Sequence, residues 1–174
     1  MNITENNKMM QRIMMMAVLM TGLFFFGAGQ VKAQEDCKSK PDKSKEQSDC
    51  WVKKAKSGQK DLKWAFLFEA DLSGVDLRGV DLFNADLNGA NLSGADLRGA
   101  SLSDAELSGA KFAGAKLENT NFDSTDLTEA DFRRTDLTGA KMKNMDIRDA
   151  IVSQKTTIGI NFEEWKDRGG KVVD

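Results

Sequence analysis

Between Ala65 and Gln154 the chain places an apolar residue every five positions without an insertion or a deletion. Eighteen such centres run from Leu67 and Leu72 through Phe112, Phe122 and Phe132 to Met142, Ile147 and Val152. Two residues before each centre stands a small or apolar residue: twelve alanines, Val75, Val80, Met145 and the threonines Thr120, Thr125 and Thr135. No regular element buries both positions. In an α-helix a step of five advances about 500°, about 140° past a full turn, so successive centres would scatter around the axis. In a continuous strand the odd spacing sends alternate centres to opposite faces. The pattern therefore predicts a solenoid, a backbone that bends once per unit and turns the same pair inward each time. The fifth position marks the bend. Gly74, Gly79, Gly89, Gly94, Gly99, Gly109, Gly114 and Gly139 occupy it, with Asn84, Asn119 and Asn144, residue types that tolerate the left-handed backbone of a tight turn.

Units such as Ala70-Asp71-Leu72-Ser73-Gly74, Ala90-Asn91-Leu92-Ser93-Gly94 and Ala95-Asp96-Leu97-Arg98-Gly99 resemble the A-[DN]-L-x-G repeats of the pentapeptide-repeat family. The resemblance implies an all-β fold, a right-handed four-sided parallel β-helix with four units per coil. Eighteen units would make about four and a half coils, a rod roughly 22 Å long at about 4.8 Å per coil. The organisation expected is a signal peptide over 1–33, a Lys-rich linker and N-terminal cap over 34–64, the β-helix over 65–154 and a C-terminal cap over 155–174.

Both ends of a solenoid need covering. Asp49 to Ser57 predicts a short helix with Asp49 as N-cap, Gly58 beyond its end, and Trp51 and Ala55 on one face. Leu62 keeps the repeat register, but Lys60 fills the inward slot, so Lys60 to Trp64 is read as an approach segment. At the other end Asn161-Phe162-Glu163-Glu164 resembles a capping box, with Gly169 stopping the helix. Trp51, Trp64, Phe162 and Trp165 are expected to pack as caps, and the outward Phe66, Phe68 and Phe83 to lie beneath the N-terminal one.

The first 33 residues read as an export signal: Lys8 and Arg12, an uncharged run from Ile13 to Gly29, then Val31-Lys32-Ala33 at the cleavage position. The run falls short of the roughly 20 residues that span a bilayer, so no membrane attachment is expected after cleavage. The expected location is periplasmic or extracellular, or the thylakoid lumen in a photosynthetic source. Removing residues 1–33 leaves a net charge of -4 and two cysteines, Cys37 and Cys50, which in an exported chain predict one disulfide.

The chemistry is sparse. There is no histidine and no tyrosine, and the inward positions carry no ionisable residue. No nucleophile with a base, phosphate loop, metal-ligand cluster or cofactor fingerprint appears, so the chain is read as a non-enzyme that needs no cofactor. Arranged on a four-unit coil, the units starting at Ala65, Ala85, Ala105, Thr125 and Met145 share one wall. Its outward residues include Glu69, Asp86, Glu106, Asp126, Glu129, Asp146 and Asp149 against Arg148, a net of -6, while the other three walls together carry -1. The function expected is a rigid interaction module working through that face. No partner is named by the residues; the sign suits a basic protein rather than nucleic acid, and a homodimer is compatible with it. Two alternatives follow. Some members of the family resemble DNA and inhibit gyrase, though they act in the cytoplasm. A purely structural or cation-binding solenoid is the other.

Overall fold

In the computed structural model residues 37, 45–153, 156 and 162–173 are described. The chain divides into two compact units, Met1–Gln34 and Glu35–Asp174. The expected export segment lies outside the described residues, all of which belong to the second unit.

From Asp61 onward each unit pairs with the one twenty residues later. Parallel bridges join Asp61 to Asp81, Phe66 to Asp86, Asp71 to Asn91 and Asp76 to Asp96, and continue to Asp131 and Ile151. Twenty residues are four units of five, so the coil has four sides. One unit explains why. In Ala90–Gly94 the Ala90 N–H turns back to Leu87 O at 2.9 Å, while Asn91 donates to Ala70 O in the preceding coil. Leu92 and Gly94 donate forward to Lys111 O and Ala113 O in the next. The ladder leaves only the Ser93 N–H, and the Asn91 side-chain oxygen accepts it at 3.2 Å. All five donors are thereby paired, as a buried or half-buried backbone requires.

The corner is equally uniform. Every fifth position from Trp64 to Asp149 has positive φ: eight glycines at 61–76° and ten other residues at 51–61°. So frequent a corner leaves few extended residues per side, and the sides register as single bridges rather than strands. The one strand pair among the described residues is β1 (Ile151–Ser153) with β2 (Lys171–Val173), parallel, with Ile151 opposite Lys171.

The inward pair fills the coil. Leu62, Leu67, Leu72 and the following leucines are fully buried. Toward the C-terminal end phenylalanine replaces leucine. Phe112 stacks on Phe132 with centroids 4.7 Å apart, and Phe122 meets both edge-on at 5.9 and 6.1 Å. The stacking distance is the spacing between neighbouring strands, as expected for two rings at equivalent positions of successive coils. The buried threonines bond to carbonyls: Thr120 to Leu97 O and Thr125 to Leu102 O, each at 2.9 Å, and Thr135 to Phe132 O.

The ends depart from the sequence reading in several places. The N-terminal helix, α1, is Lys45–Lys56. It starts a turn earlier than expected, so Asp49 is not its cap but sits inside it, 3.0 Å from Lys45 one turn back. Ser48, Trp51 and Ala55 form its buried face, and Cys50 is bonded to Cys37. The solenoid also begins a unit earlier, at Lys60–Trp64. Leu62 is fully buried, and Lys60, with no coil beneath it, swings out and donates to Arg78 O at 2.7 Å. Trp64 takes the corner conformation and is 59% exposed, so it is not a cap; it meets Phe83 edge-on at 5.8 Å. α1 covers Phe66 but leaves Phe68 45% exposed.

At the other end helix α2 is Phe162–Asp167, and Gly169 (φ +90°) ends it. Asn161 lies outside the described residues. Trp165 is fully buried, edge-on to Phe132 at 6.2 Å and donating to Ala150 O at 3.3 Å. The chain then returns as β2, an added strand absent from the sequence reading. Lys171 N–H donates to Ala150 O and Asp149 N–H to Gly169 O.

Candidate functional site

The acidic wall begins with what its aspartates do for the backbone. Where the residue before a centre is Asp or Asn, its side-chain oxygen accepts the N–H two positions on, the donor the ladder omits. On this wall Asp86 accepts from Asn88 at 3.3 Å, Asp126 from Thr128 at 2.9 Å and Asp146 from Arg148 at 3.1 Å. Asparagine performs the same service elsewhere, as in Asn121 to Asp123. The shared requirement is a short side-chain oxygen, not a charge. Glu106 is one carbon too long, and Ser108 N–H goes instead to the Asn88 oxygen of the neighbouring coil at 2.9 Å. The Glu106 carboxylate is thereby released outward, where it accepts from the Asn88 amide at 2.9 Å.

The structure brings the sequence-predicted residues together. Asp86, Glu106, Asp126 and Asp146 stand in one ladder of parallel bridges that starts from Phe66. Glu69, Glu129 and Asp149 lie on its corner edge, where Glu69 N–H donates to Asn88 O and Glu129 N–H to Arg148 O. Two members are neutralised. Arg148 grips Asp146 through two nitrogens, the closest contact at 2.6 Å, and that hydrogen bond holds the Asp146 carboxyl below the usual carboxylate range. Lys171 reaches Asp149 at 2.8 Å, which raises the Lys171 pKa, with Glu129 adding to the effect. Lys171 was missed because it lies outside the repeat and arrives only through β2. Counting it, the wall carries -5 rather than -6. Among the described residues no ion pair involves Glu69, Glu106, Asp126 or Glu129, so the unpaired acid is concentrated in the middle of the wall.

The fork at Asp146–Arg148 recurs on the other walls. Asp76–Arg78, Asp96–Arg98 and Asp131–Arg133 each form a two-nitrogen fork across the turn, closest contacts 2.6–2.7 Å. Asp71, Asp104 and Asp136 on those walls also make no ion pair among the described residues, so what sets the acidic wall apart is its net charge. Among the described residues no three ligating side chains converge on a point that could hold a metal ion, and no helix is long and apolar enough to cross a membrane.

Three matches to the family described as Pentapeptide repeats, the last two overlapping, cover 65–104, 105–144 and 115–154. Among solved structures, HetL of Nostoc sp. strain PCC 7120, a pentapeptide repeat protein involved in heterocyst differentiation regulation, is 37% identical over 53% of this chain and 40% of its own, with a TM-score of 0.47. The chain therefore spans less than half of HetL. A second Nostoc pentapeptide repeat protein is 24% identical over 72% of this chain and 94% of its own, with a TM-score of 0.52. A pentapeptide repeat protein of the Arabidopsis thaliana thylakoid lumen is 26% identical over 62% and 70%, with a TM-score of 0.33. No curated protein matches. The unbroken five-residue register, the twenty-residue ladder and the family match over more than half its length establish that the chain belongs to the pentapeptide-repeat family.

Proposed function

We propose that the chain is exported and works without catalysis, as a rigid module that receives a basic protein on its acidic wall. The observation that carries the reading is the ladder of Asp86, Glu106 and Asp126, edged by Glu69 and Glu129, on the wall that holds nearly all of the net negative charge of the repeats. Aligned like charges on a preformed surface steer association and fix orientation. Export is supported by the residues before Gln34 and by the Cys37–Cys50 disulfide, a bond that persists in oxidising compartments. The DNA-mimic alternative is weaker, because Arg78, Arg98 and Arg133 neutralise acid on the other walls.

The test must remove charge without removing turns. Asp126→Asn keeps the oxygen that accepts the Thr128 N–H, so a Glu69→Gln, Glu106→Gln, Asp126→Asn, Glu129→Gln variant should match the wild type within about 0.5 kcal/mol per site. Both proteins would be purified from the exported fraction, where the first residue should be Gln34, and used as bait in quantitative pull-downs at low and high salt. The expected result is a set of basic proteins held by the wild type, released by salt and lost from the variant. Identical recovery by both baits would rule out the acidic wall; finding the chain only in the cytoplasmic fraction would rule out export.

A further inference from the structure

Outward slots of this solenoid are polar or small almost throughout, yet Phe66 and Phe68 occupy two neighbouring ones at the foot of the acidic ladder. The rings lie parallel, with centroids 6.2 Å apart. α1 buries the first and leaves the second 45% exposed, in a groove of about 590 Å³ whose apolar surface comes from Val52, Phe66, Phe68 and Ala70. That volume lies within the range of cavities that receive small ligands or side chains. Its α1 side carries two lysines: Lys45 pairs with Asp49 at 3.0 Å, while Lys56 makes no ion pair among the described residues and adds only slightly to the fall in the Asp71 pKa, behind the larger effect of the Ser73 hydrogen bonds. Among the described residues no ion pair involves Glu69 at the mouth. The same corner then runs from Glu69 through Gly89 and Gly109 to Glu129, with the N–H groups of the first three donating to Asn88, Ser108 and Thr128 O in the next coil, so no side chain on that edge separates the groove from the acid above it.

We propose that this groove anchors the partner of the acidic wall: it takes one large apolar side chain of a basic segment, whose Lys or Arg residues then lie along Glu69, Glu106, Asp126 and Glu129. The inference rests on the acidic wall as the binding surface and adds an apolar anchor to it. Charge complementarity selects the occupant, since an acidic or neutral segment seated on Phe68 would have to pass a run of unpaired carboxylates. The apolar contact supplies what surface charges do not, because exposed ion pairs contribute little on their own, whereas an aromatic side chain in a pocket dominates binding.

The probes are three labelled peptides: a Leu-Trp pair followed by lysines, the same with Ser-Ser in place of the pair, and the same with glutamates in place of the lysines. Fluorescence anisotropy on the disulfide-intact protein should show the first binding about tenfold tighter than the second, and the third not at all. Phe68→Ser should erase that tenfold difference and leave the Ser-Ser peptide unaffected. Val52→Ser, on the opposite wall of the groove, should act in the same direction, and circular dichroism checks that both variants are folded. Equal binding of the two basic peptides, both weakened by Glu106→Gln and Asp126→Asn, would overturn the groove and leave the acidic wall standing. Failure of either basic peptide to outbind the glutamate peptide would overturn the wall itself. A concentration-dependent dimer in sedimentation, abolished by Phe68→Ser, would give the groove to a second copy and overturn the proposal.

Discussion

Gly170 is a glycine for a reason unrelated to turning. Trp165 lies directly on it, and a Cβ there would fall within the indole ring. Gly170→Ala should push Trp165 away from Phe132 and Ala150, costing about 2–3 kcal/mol as an overpacked core does, with a red shift of tryptophan fluorescence. Gly114 is the contrasting case. Its φ is +69° and a Cβ would meet nothing within 4 Å, so Gly114→Ala should cost about 1 kcal/mol of backbone strain with unchanged fluorescence. Wild-type urea midpoints for Gly170→Ala would show that the ring does not rest there. The sequence made the inward residues and corner glycines legible because each obeys one steric rule repeated eighteen times. The aspartates were harder. As a pattern they read only as surface charge, and their service to the backbone emerges when one unit's donors are followed to their acceptors, with Asn91 doing for Ser93 what Asp126 does for Thr128.

At the scale of elements the repeats and the caps answer to different forces. A repeat unit is held by the coils on either side, whereas α1 rests on one coil through Trp51, Ala55 and a 3.4 Å bond from Ser48 to Phe68 O. The Cys37–Cys50 bridge, thirteen residues apart in sequence, therefore contributes most of its stabilisation locally, about 3 kcal/mol for a loop of that size. In a Cys37→Ser, Cys50→Ser variant, hydrogen exchange over Lys45–Lys56 should accelerate strongly while the Leu82–Leu127 core keeps its protection. Equal acceleration in both would mean that the cap and the coil unfold together. Caps were also where sequence reading fell short. Asp49 satisfied the usual signature of a helix start, but the helix had already begun at Lys45, and the Lys45–Asp49 pair places both on one face of it. β2 is three residues long, too short for any periodicity to announce, and only its place in the Asp131–Ile151–Lys171 ladder identifies it. Because Lys171 rides on that strand, the charge of the acidic wall could not be settled from the repeat alone.

For the whole molecule the relevant quantity is the number of carboxylates that the fold holds below their usual pKa. Hydrogen bonds from Arg78, Arg98, Arg133 and Arg148 lower Asp76, Asp96, Asp131 and Asp146, and side-chain bonds from Ser73 and Thr138 lower Asp71 and Asp136. Each group ionises more readily folded than unfolded, so near pH 4 and below the unfolded chain binds more protons and acid favours it. Their contribution is complete above the unfolded value of about 3.9 and is lost as pH falls through the lower folded values. Lys63 and Lys171 have the opposite sign, with folded pKa values raised by Asp81 and Asp149; their contribution is present below about pH 10.4 and is lost above it. Melting temperature should accordingly be flat from about pH 5 to 8 and fall steeply between about pH 4 and 2. The groups are largely exposed, so each contributes little and the effect is collective. Replacing Arg78, Arg98, Arg133 and Arg148 together by glutamine should flatten the acid limb while leaving the fold intact at neutral pH. An acid limb of unchanged slope in that variant would place the acid sensitivity outside the four forks. The outcome also bears on the acidic wall: if its unpaired middle repels itself, neutralising Glu106 and Asp126 should raise the neutral-pH melting temperature at low salt, and the molecule would then be maintaining that charge at a cost to its own stability.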